Sequence, residues 1–353
     1  MTRRERRAHR GLKRTLGATL LPRVRPDRAL RARHALRRWG PTPAGAIQAA
    51  AAARPQAPAI IDEHTSLSFA ELHQRVLALS GALAQRGIGP GQTLALICAN
   101  HHWTVEAQIA ASRLGASTLQ LHPEMDPCHA ARLLGRHRPA VVIHDPDSPP
   151  PPAAGASRLL TGPRAPAHAG ERIEEAIAAA PALTSVPRAG AERVVTLTSP
   201  GCWQPVRLPG TLTARAAQRC AIPLRARQTT MICPPLSSPW GHLHLTLALR
   251  LGSTLILHER FSALEVLDAL ERRRVSALAL LPEMLAAIME LPASTLAWYK
   301  AEALRVIAVN GAQLPAELAI PAIRRFGPIL YNRSGPPVIR LGSGGEGRYA
   351  PAG

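Results

Sequence analysis

At 353 residues, 46% hydrophobic and 3% aromatic, the chain is long enough to bury one large core or two, which excludes a wholly disordered protein or a small stapled domain. Its formal net charge of +20 comes from 43 basic residues against 23 acidic; only Lys13 and Lys300 are lysines, and the arginine excess with 34 prolines reads most simply as a GC-rich coding bias. No run approaches the ~18 apolar residues of a membrane span, and the five scattered cysteines, with no Cys-x-x-Cys pair, argue against a disulfide framework and against a zinc site.

Residues 1–42 form a basic leader: the first 40 carry 14 Arg and Lys against Glu5 and Asp27. Such an arm is either solvated and partly disordered or drawn to an anionic membrane surface, with nucleic acid the less favoured partner. Leu12 to Val24 can form a short basic amphipathic helix with Leu16, Leu20 and Leu21 on one side. Leu16 to Pro22 is too short for a signal peptide, so a cytoplasmic protein with peripheral membrane contact is expected.

A first α/β sub-domain is predicted over 43–145. Ser68-Phe69-Ala70-Glu71 is a capping box opening a helix with Leu72, Val76, Leu79 and Leu83 at helical spacing and Gly87 as its stop. A strand follows over Thr93–Cys98, a helix over Thr104–Leu114 and a strand over Ser117–Leu121. Asp126-Pro127 then opens a helix before a buried strand at Ala140–His144. Residues 146–190, opening with Pro146-Asp147-Ser148 and then Pro149–Pro152, read as a Pro/Ala-rich connector. Alternation resumes in a second α/β sub-domain over 191–332. Strands are expected at Val194–Leu197, Thr229–Ile232, Thr254–Leu257, Ala277–Leu280 and Leu304–Val309, and helices at Leu243–Leu251, Ala263–Arg274, Glu283–Leu291 and Ala316–Arg325. This alternation predicts parallel sheets flanked by helices. Residues 333–353 are an irregular Gly/Pro/Arg-rich tail.

The stretch Leu197-Thr198-Ser199-Pro200-Gly201-Cys202-Trp203-Gln204-Pro205-Val206-Arg207 carries the most chemistry. A strand running into hydroxyl residues and a turn is how backbone amides are arranged around a polyphosphate. Such a loop needs glycines for close approach and a lysine for charge. Here one Gly201 sits between a proline and Cys202, and no lysine follows. No histidine can be placed beside Cys202, which reads as incidental.

Arg54-Pro55-Gln56-Ala57-Pro58-Ala59-Ile60-Ile61-Asp62, then Leu67-Ser68-Phe69-Ala70-Glu71-Leu72, then Arg86-Gly87-Ile88-Gly89-Pro90-Gly91-Gln92 resemble the N-terminal region of AMP-forming acyl-CoA synthetases. The likeness is strongest to the actinobacterial fatty-acid–CoA ligase branch and runs to about Asn332. It implies an α/β fold, the N-terminal domain of an adenylate-forming enzyme, incomplete and without the family's mobile C-terminal domain. It also implies fatty acid and ATP as substrates, with Mg2+ and coenzyme A: a carboxylate attacks the α-phosphate, and thiol then displaces AMP. In the family's phosphate loop this chain keeps Thr198, Ser199 and Pro205, with Pro200, Gly201, Cys202 and Trp203 in place of its Gly-Thr-Thr-Gly centre; Val206 stands in the lysine's place and Arg207 one position late, either reaching a phosphate or lying as a surface charge. Pro235-Leu236-Ser237-Ser238-Pro239-Trp240-Gly241 resembles the acyl-pocket segment, where Trp240 and Gly241 remain and Trp240 either lines the pocket or simply packs. Asn310, Gly311 and Ala312 resemble the adenine wall, or form a glycine turn before a helix. In Tyr331-Asn332-Arg333-Ser334-Gly335-Pro336-Pro337-Val338 only Gly335 of the last motif survives; Val338 replaces the magnesium glutamate, so no metal ligand is assigned. The abrupt change after Asn332 suggests an ancestral truncation or frame disruption. Three function classes follow: a working ligase, a non-catalytic acyl or nucleotide binder, and an interaction protein using its basic leader.

Overall fold

The computed structural model describes residues 25–40, 42–152, 155–162, 170–183, 193–197, 205–209, 222–310 and 314–332. The Leu12–Val24 segment, Thr198 to Gln204, Gly311, Ala312 and Gly335 lie outside these residues. The first elements are helices α1 (Pro26–Trp39) and α2 (Pro43–Ala53), hairpin β1 (Pro58–Ile61) and β2 (Ser66–Ser68), and helix α3 (Phe69–Gln85). There follow β3 (Thr93–Ile97), α4 (His102–Leu114), β4 (Ser117–Leu121), α5 (Pro127–His137), β5 (Val141–His144), β6 (Ser157–Leu160) and α6 (Ile173–Ala179). Next come β7 (Arg193–Leu197), β8 (Pro205–Pro209), β9 (Thr229–Ile232), α7 (Pro239–Leu251), β10 (Thr254–Leu257), α8 (Ala263–Arg272) and β11 (Ala277–Leu280). The last are α9 (Pro282–Met289), α10 (Ala293–Trp298), β12 (Val306–Val309), α11 (Ala316–Phe326) and β13 (Leu330–Asn332).

Local chemistry sets many of these boundaries. Ser68 and Glu71 form the capping box, with Glu71 N donating to Ser68 Oγ at 3.2 Å and Ser68 N donating to Glu71 Oε2 at 2.7 Å. Gly115 ends α4 in the left-handed region at φ 68°, a conformation a Cβ would strain. Helix α7 starts four residues before the predicted Leu243, because Pro239 is pre-set for a first helical turn and Ser238 Oγ accepts from Gly241 N at 3.1 Å.

Two sheets result. One has the order β13-β12-β11-β9-β10-β1-β2, the other β6-β5-β3-β4-β7-β8, and both are parallel except for the edge strands β2 and β8. The strands do not sort by the predicted sub-domains. Hairpin β1–β2 joins the sheet of the second, with Ile60 beside Leu255, and β7 joins the sheet of the first, with Thr118 beside Val194. Nor is 146–190 a plain connector: β6 extends the second sheet along β5, and α6 packs its buried Ile173 and Ala176 into the core.

Strand alternation then stacks the layers. On β3, Leu94 and Leu96 enter one core, while Ala95 and Ile97 enter another with Leu133 and Leu134 of α5. On β9, Ile232 faces the first core, whereas Met231 joins Leu267, Leu285 and Ala319 of α8, α9 and α11. Helices α2, α3, α4 and α7 therefore lie between the sheets, with a helical layer outside each. Every residue of α4 is buried, as a helix between two sheets must be. Its buried Glu106 is held by Arg75, whose guanidinium also bonds Glu174 at 2.6 Å, while Trp103 Nε1 donates to the same carboxylate at 2.6 Å.

Candidate functional site

Because the strands are parallel, both sheets deliver their carboxyl ends to one region, the general place for ligands in open α/β sheets. A cavity of about 930 Å³ opens there. Cys98, His122, Asp145 and Thr161 reach it from the ends of four strands of the six-stranded sheet, and Cys233 and Glu259 from two strands of the other. Among the described residues, five carboxylates (Glu63, Glu124, Asp145, Asp147, Glu259) line it against one arginine, Arg260, a lining that favours cations over bare polyphosphate.

Three side-chain constructions shape this rim. Asn100, after β3, stitches the sheets together: its Nδ2 donates to Pro234 O at 3.0 Å and its Oδ1 accepts from Leu236 N at 2.8 Å. Asp62, after β1, accepts from His102 N and His102 Nδ1, each at 2.7 Å, and from the backbone of His64 and Thr65. Burial raises its pKa, but these donors outweigh burial and hold the carboxyl at about 2. Asp145, after β5, accepts from His101 Nε2 at 2.8 Å, from Ala99 N at 2.7 Å and from Thr161 Oγ1. Burial again opposes ionisation there, and His101, Thr161 and Ala99 prevail, so its pKa is lowered. Cys98 Sγ donates to Ile143 O at 3.4 Å, and burial pushes its thiol upward.

The residues singled out from sequence fall unevenly around this geometry. Strands β7 and β8 pair as a hairpin, Leu197 with Pro205, Thr196 with Val206 and Val195 with Arg207, while the phosphate-loop residues Thr198, Ser199 and Gly201 lie outside the described residues. Asn310 follows β12 at its carboxyl end and is half-buried. Trp240 is 4% exposed, donates its Nε1–H to Leu280 O at 3.1 Å and packs edge-on against His244, with Ala277, Val306 and Ala308 around it. Neither Trp240 nor Gly241 lines the large cavity. A Cβ on Gly241 would stand 2.2 Å from Pro235 O, so glycine is required there for close approach of α7 to the end of β9. Asp62, Asn100, His101 and Asp145 were missed as site residues; a polar residue just past each β-rich run was the available signal.

The two mostly parallel sheets, enclosing a helical layer and carrying a crevice at their carboxyl ends, define the N-terminal domain of an adenylate-forming enzyme. The model of the AMP-binding enzyme family matches residues 47–197 and 210–336, and the chain belongs to that family. It is 31% identical over 281 residues to a feruloyl-CoA synthase of Amycolatopsis sp, a match covering 75% of this chain and 53% of the relative. It is 31% identical over 80 residues to a long-chain-fatty-acid–CoA ligase of Thermus thermophilus, covering 23% of the chain and 15% of that ligase. The chain spans about half the length of the first of these. Among solved structures, the N-terminal domain of FACL13 from Mycobacterium tuberculosis superposes with a TM-score of 0.70 at 18% identity, covering 82% of this chain and 74% of that one. The anthranilate CoA ligase AuaEII in complex with anthranoyl-AMP gives 0.72 at 15%, covering 82% and 58%. These likenesses confirm the fold and the acyl-CoA ligase lineage. Among the described residues, no helix is long and apolar enough to cross a membrane.

Proposed function

We propose that this chain binds a carboxylic acid of the class its family activates and that, as it stands, it adenylates that acid poorly or not at all. The pairing of Val206 with Thr196 carries the reading. By resemblance Val206 occupies the phosphate-loop lysine's position, and Arg207, one position late, reads as a surface charge and not as its substitute. Phosphoryl chemistry is mostly positioning and charge stabilisation, and one such group is worth about 2.7–4 kcal/mol, on the order of 10²–10³ in rate. Val338, in the place of the magnesium glutamate, offers no oxygen to a hard cation. ATP, Mg2+ and coenzyme A belong to the family's chemistry; here Thr198, Ser199, Gly201, Asn310, Gly311, Ala312 and Gly335 are the remnant that would meet the nucleotide. The acid is fatty or aryl, following the long-chain and feruloyl relatives.

ATP–pyrophosphate exchange with fatty and hydroxycinnamic acids, beside calorimetry with the same acids, tests this. Acid binding without exchange is expected, and Val206→Lys should raise the exchange rate. Exchange by the unaltered chain at the rate of an ordinary ligase would overturn the reading.

Peripheral contact of a cytoplasmic protein with anionic membrane through residues 1–40 is a compatible second proposal. It is supported by α1, whose Arg31, Arg33, Arg37 and Arg38 are exposed while Ala32, Ala35 and Trp39 are buried. Salt-sensitive flotation with phosphatidylserine vesicles, lost on deleting residues 1–40, is the expected result; flotation that survives the deletion refutes it.

A further inference from the structure

The six-stranded sheet reverses direction at β3. From β3 the chain crosses through α4 to β4 on one side, then through α5 to β5 on the other, and onward to β6. The crevice between β3 and β5 is therefore a topological switch point, where the connections leaving two adjacent strands run in opposite directions along the sheet and ligands gather in doubly wound folds. Cys98 stands at the end of β3, Asp145 at the end of β5, and His101 at the start of α4 between them. Their sulfur, nitrogen and carboxylate ligand atoms all lie within 4.8 Å of one another.

We propose that Cys98 Sγ, His101 Nε2 and Asp145 Oδ1 hold a zinc-type divalent ion at this switch point, with its fourth position open to the 930 Å³ cavity. Zinc takes sulfur at about 2.3 Å and nitrogen or oxygen at about 2.0–2.2 Å in a tetrahedron, which sets its ligands roughly 3–4 Å apart. The three ligand atoms lie within 4.8 Å of one another, and the His101–Asp145 pair, now 2.8 Å apart, must open slightly to receive the ion. A mixed S, N, O set suits a borderline ion; magnesium and calcium call for oxygen throughout.

Surrounding groups supply the support a metal site requires. Asp145 is oriented by Ala99 N and Thr161 Oγ1. Thr104 Oγ1 donates to Ala99 O at 2.7 Å and lies 3.2 Å from His101 Nδ1. In the hydrogen-bonded pattern, His101 Nε2–H donates to Asp145 and Nδ1 accepts from Thr104 N. With an ion on Nε2 the imidazole proton moves to Nδ1, which gives up the bond it accepts from Thr104 N and donates instead to Thr104 Oγ1, and the imidazole stays neutral. Cys98 gives up its thiol proton to solvent through the cavity, which Cys98 and Asp145 both line. The carboxylate excess of that lining concentrates cations at the opening. Three protein ligands and one open position are the pattern of a site that binds water or a ligand donor, not of a closed structural site.

The competing reading is a purely structural hydrogen-bond network, and cobalt separates the two. The full chain, treated with chelator and titrated with Co(II), should take up one equivalent, developing a thiolate-to-cobalt charge-transfer band and tetrahedral ligand-field bands that Zn(II) abolishes. Cys98→Ser should remove the charge-transfer band, and Asp145→Asn should weaken binding on the order of tenfold or more. Cys128→Ser, at an exposed cysteine, should change neither. On the unaltered chain, bound cadmium should show a nuclear resonance shift typical of a single thiolate, so the test stands even if Cys98→Ser does not fold. No charge-transfer band, a band that survives Cys98→Ser, or a cadmium shift without sulfur overturns the proposal.

Discussion

Replacing Gly241 by alanine tests whether this residue belongs to packing. Its added Cβ would meet Pro235 O at 2.2 Å, Pro235 C at 2.8 Å and Pro234 O at 2.9 Å, all backbone atoms. Ordinary carbon–oxygen contacts begin near ~3.3 Å, so α7 or the end of β9 must retreat by about 1 Å. Overpacking of this kind costs about 1–3 kcal/mol, and rigid backbone on the receiving side places it at the upper end. Alanine's better helix propensity returns about 1 kcal/mol, leaving a net loss of about 2 kcal/mol. The same exchange at Gly135 in α5, where nothing lies within 4 Å of the new atom, should instead stabilise by up to about 1 kcal/mol. Urea denaturation followed by circular dichroism would read the pair as midpoint shifts of opposite sign. A Gly241→Ala midpoint at or above that of the unaltered chain refutes the reasoning.

Asn100→Ala should cost about 1–3 kcal/mol in the same urea assay, because it leaves the buried Leu236 N–H and Pro234 carbonyl without their partner; an unchanged midpoint would mean the sheets are not joined there. Trp240→Phe keeps the packing but drops the bond to Leu280 O, so a loss of about 1 kcal/mol with unaltered acid affinity is expected from calorimetry. Lost acid affinity at full stability would return Trp240 to the acyl pocket. Burial lowers the pKa of His242 from 6.5 to about 4. A depressed value means the unfolded chain takes the proton first, so stability present above pH 6.5 falls towards pH 4, by about 3 kcal/mol at most. Asp62, also depressed, adds its own loss only below pH 3.8, down to about 2. A pH series of urea midpoints should show a smaller upper loss in His242→Gln than in the unaltered chain, the remainder coming from His73, His122 and His144, whose pKa values burial also lowers; equal losses would refute the assignment to His242.

Element type was largely legible because local chemistry wrote it: Ser68 with Glu71, Gly115 after Leu114, and short apolar runs such as Thr229–Ile232 that proved to be strands. Strand partners were not legible. Nothing in Pro58–Ile61 says that it will lie beside Thr254–Leu257 across the whole intervening chain, since parallel register is a tertiary outcome. Strand β6 hid in the Pro/Ala-rich stretch because it is four residues long, with Ser157 and Arg158 exposed and only Leu159 and Leu160 buried. The phosphate-loop defect was visible as composition, but the pairing of Val206 with Thr196 across a hairpin was not. The Cys98–His101–Asp145 group was hidden for a similar reason: 98 and 145 become neighbours only when β3 and β5 do.

The exchange of strands between the two halves bears on how the protein is made. Residues 58–68 leave the ribosome as a lone hairpin, marginal in water, whose partner strand is synthesised only after every strand of the other sheet. That sheet in turn waits for β7, which comes after the proline-rich stretch. Neither half can close its own sheet, so docking follows synthesis instead of accompanying it, as non-local pairing demands. A nick between residues 146 and 190 would accordingly release not two independent domains but two complementary fragments, each holding strands that the other lacks.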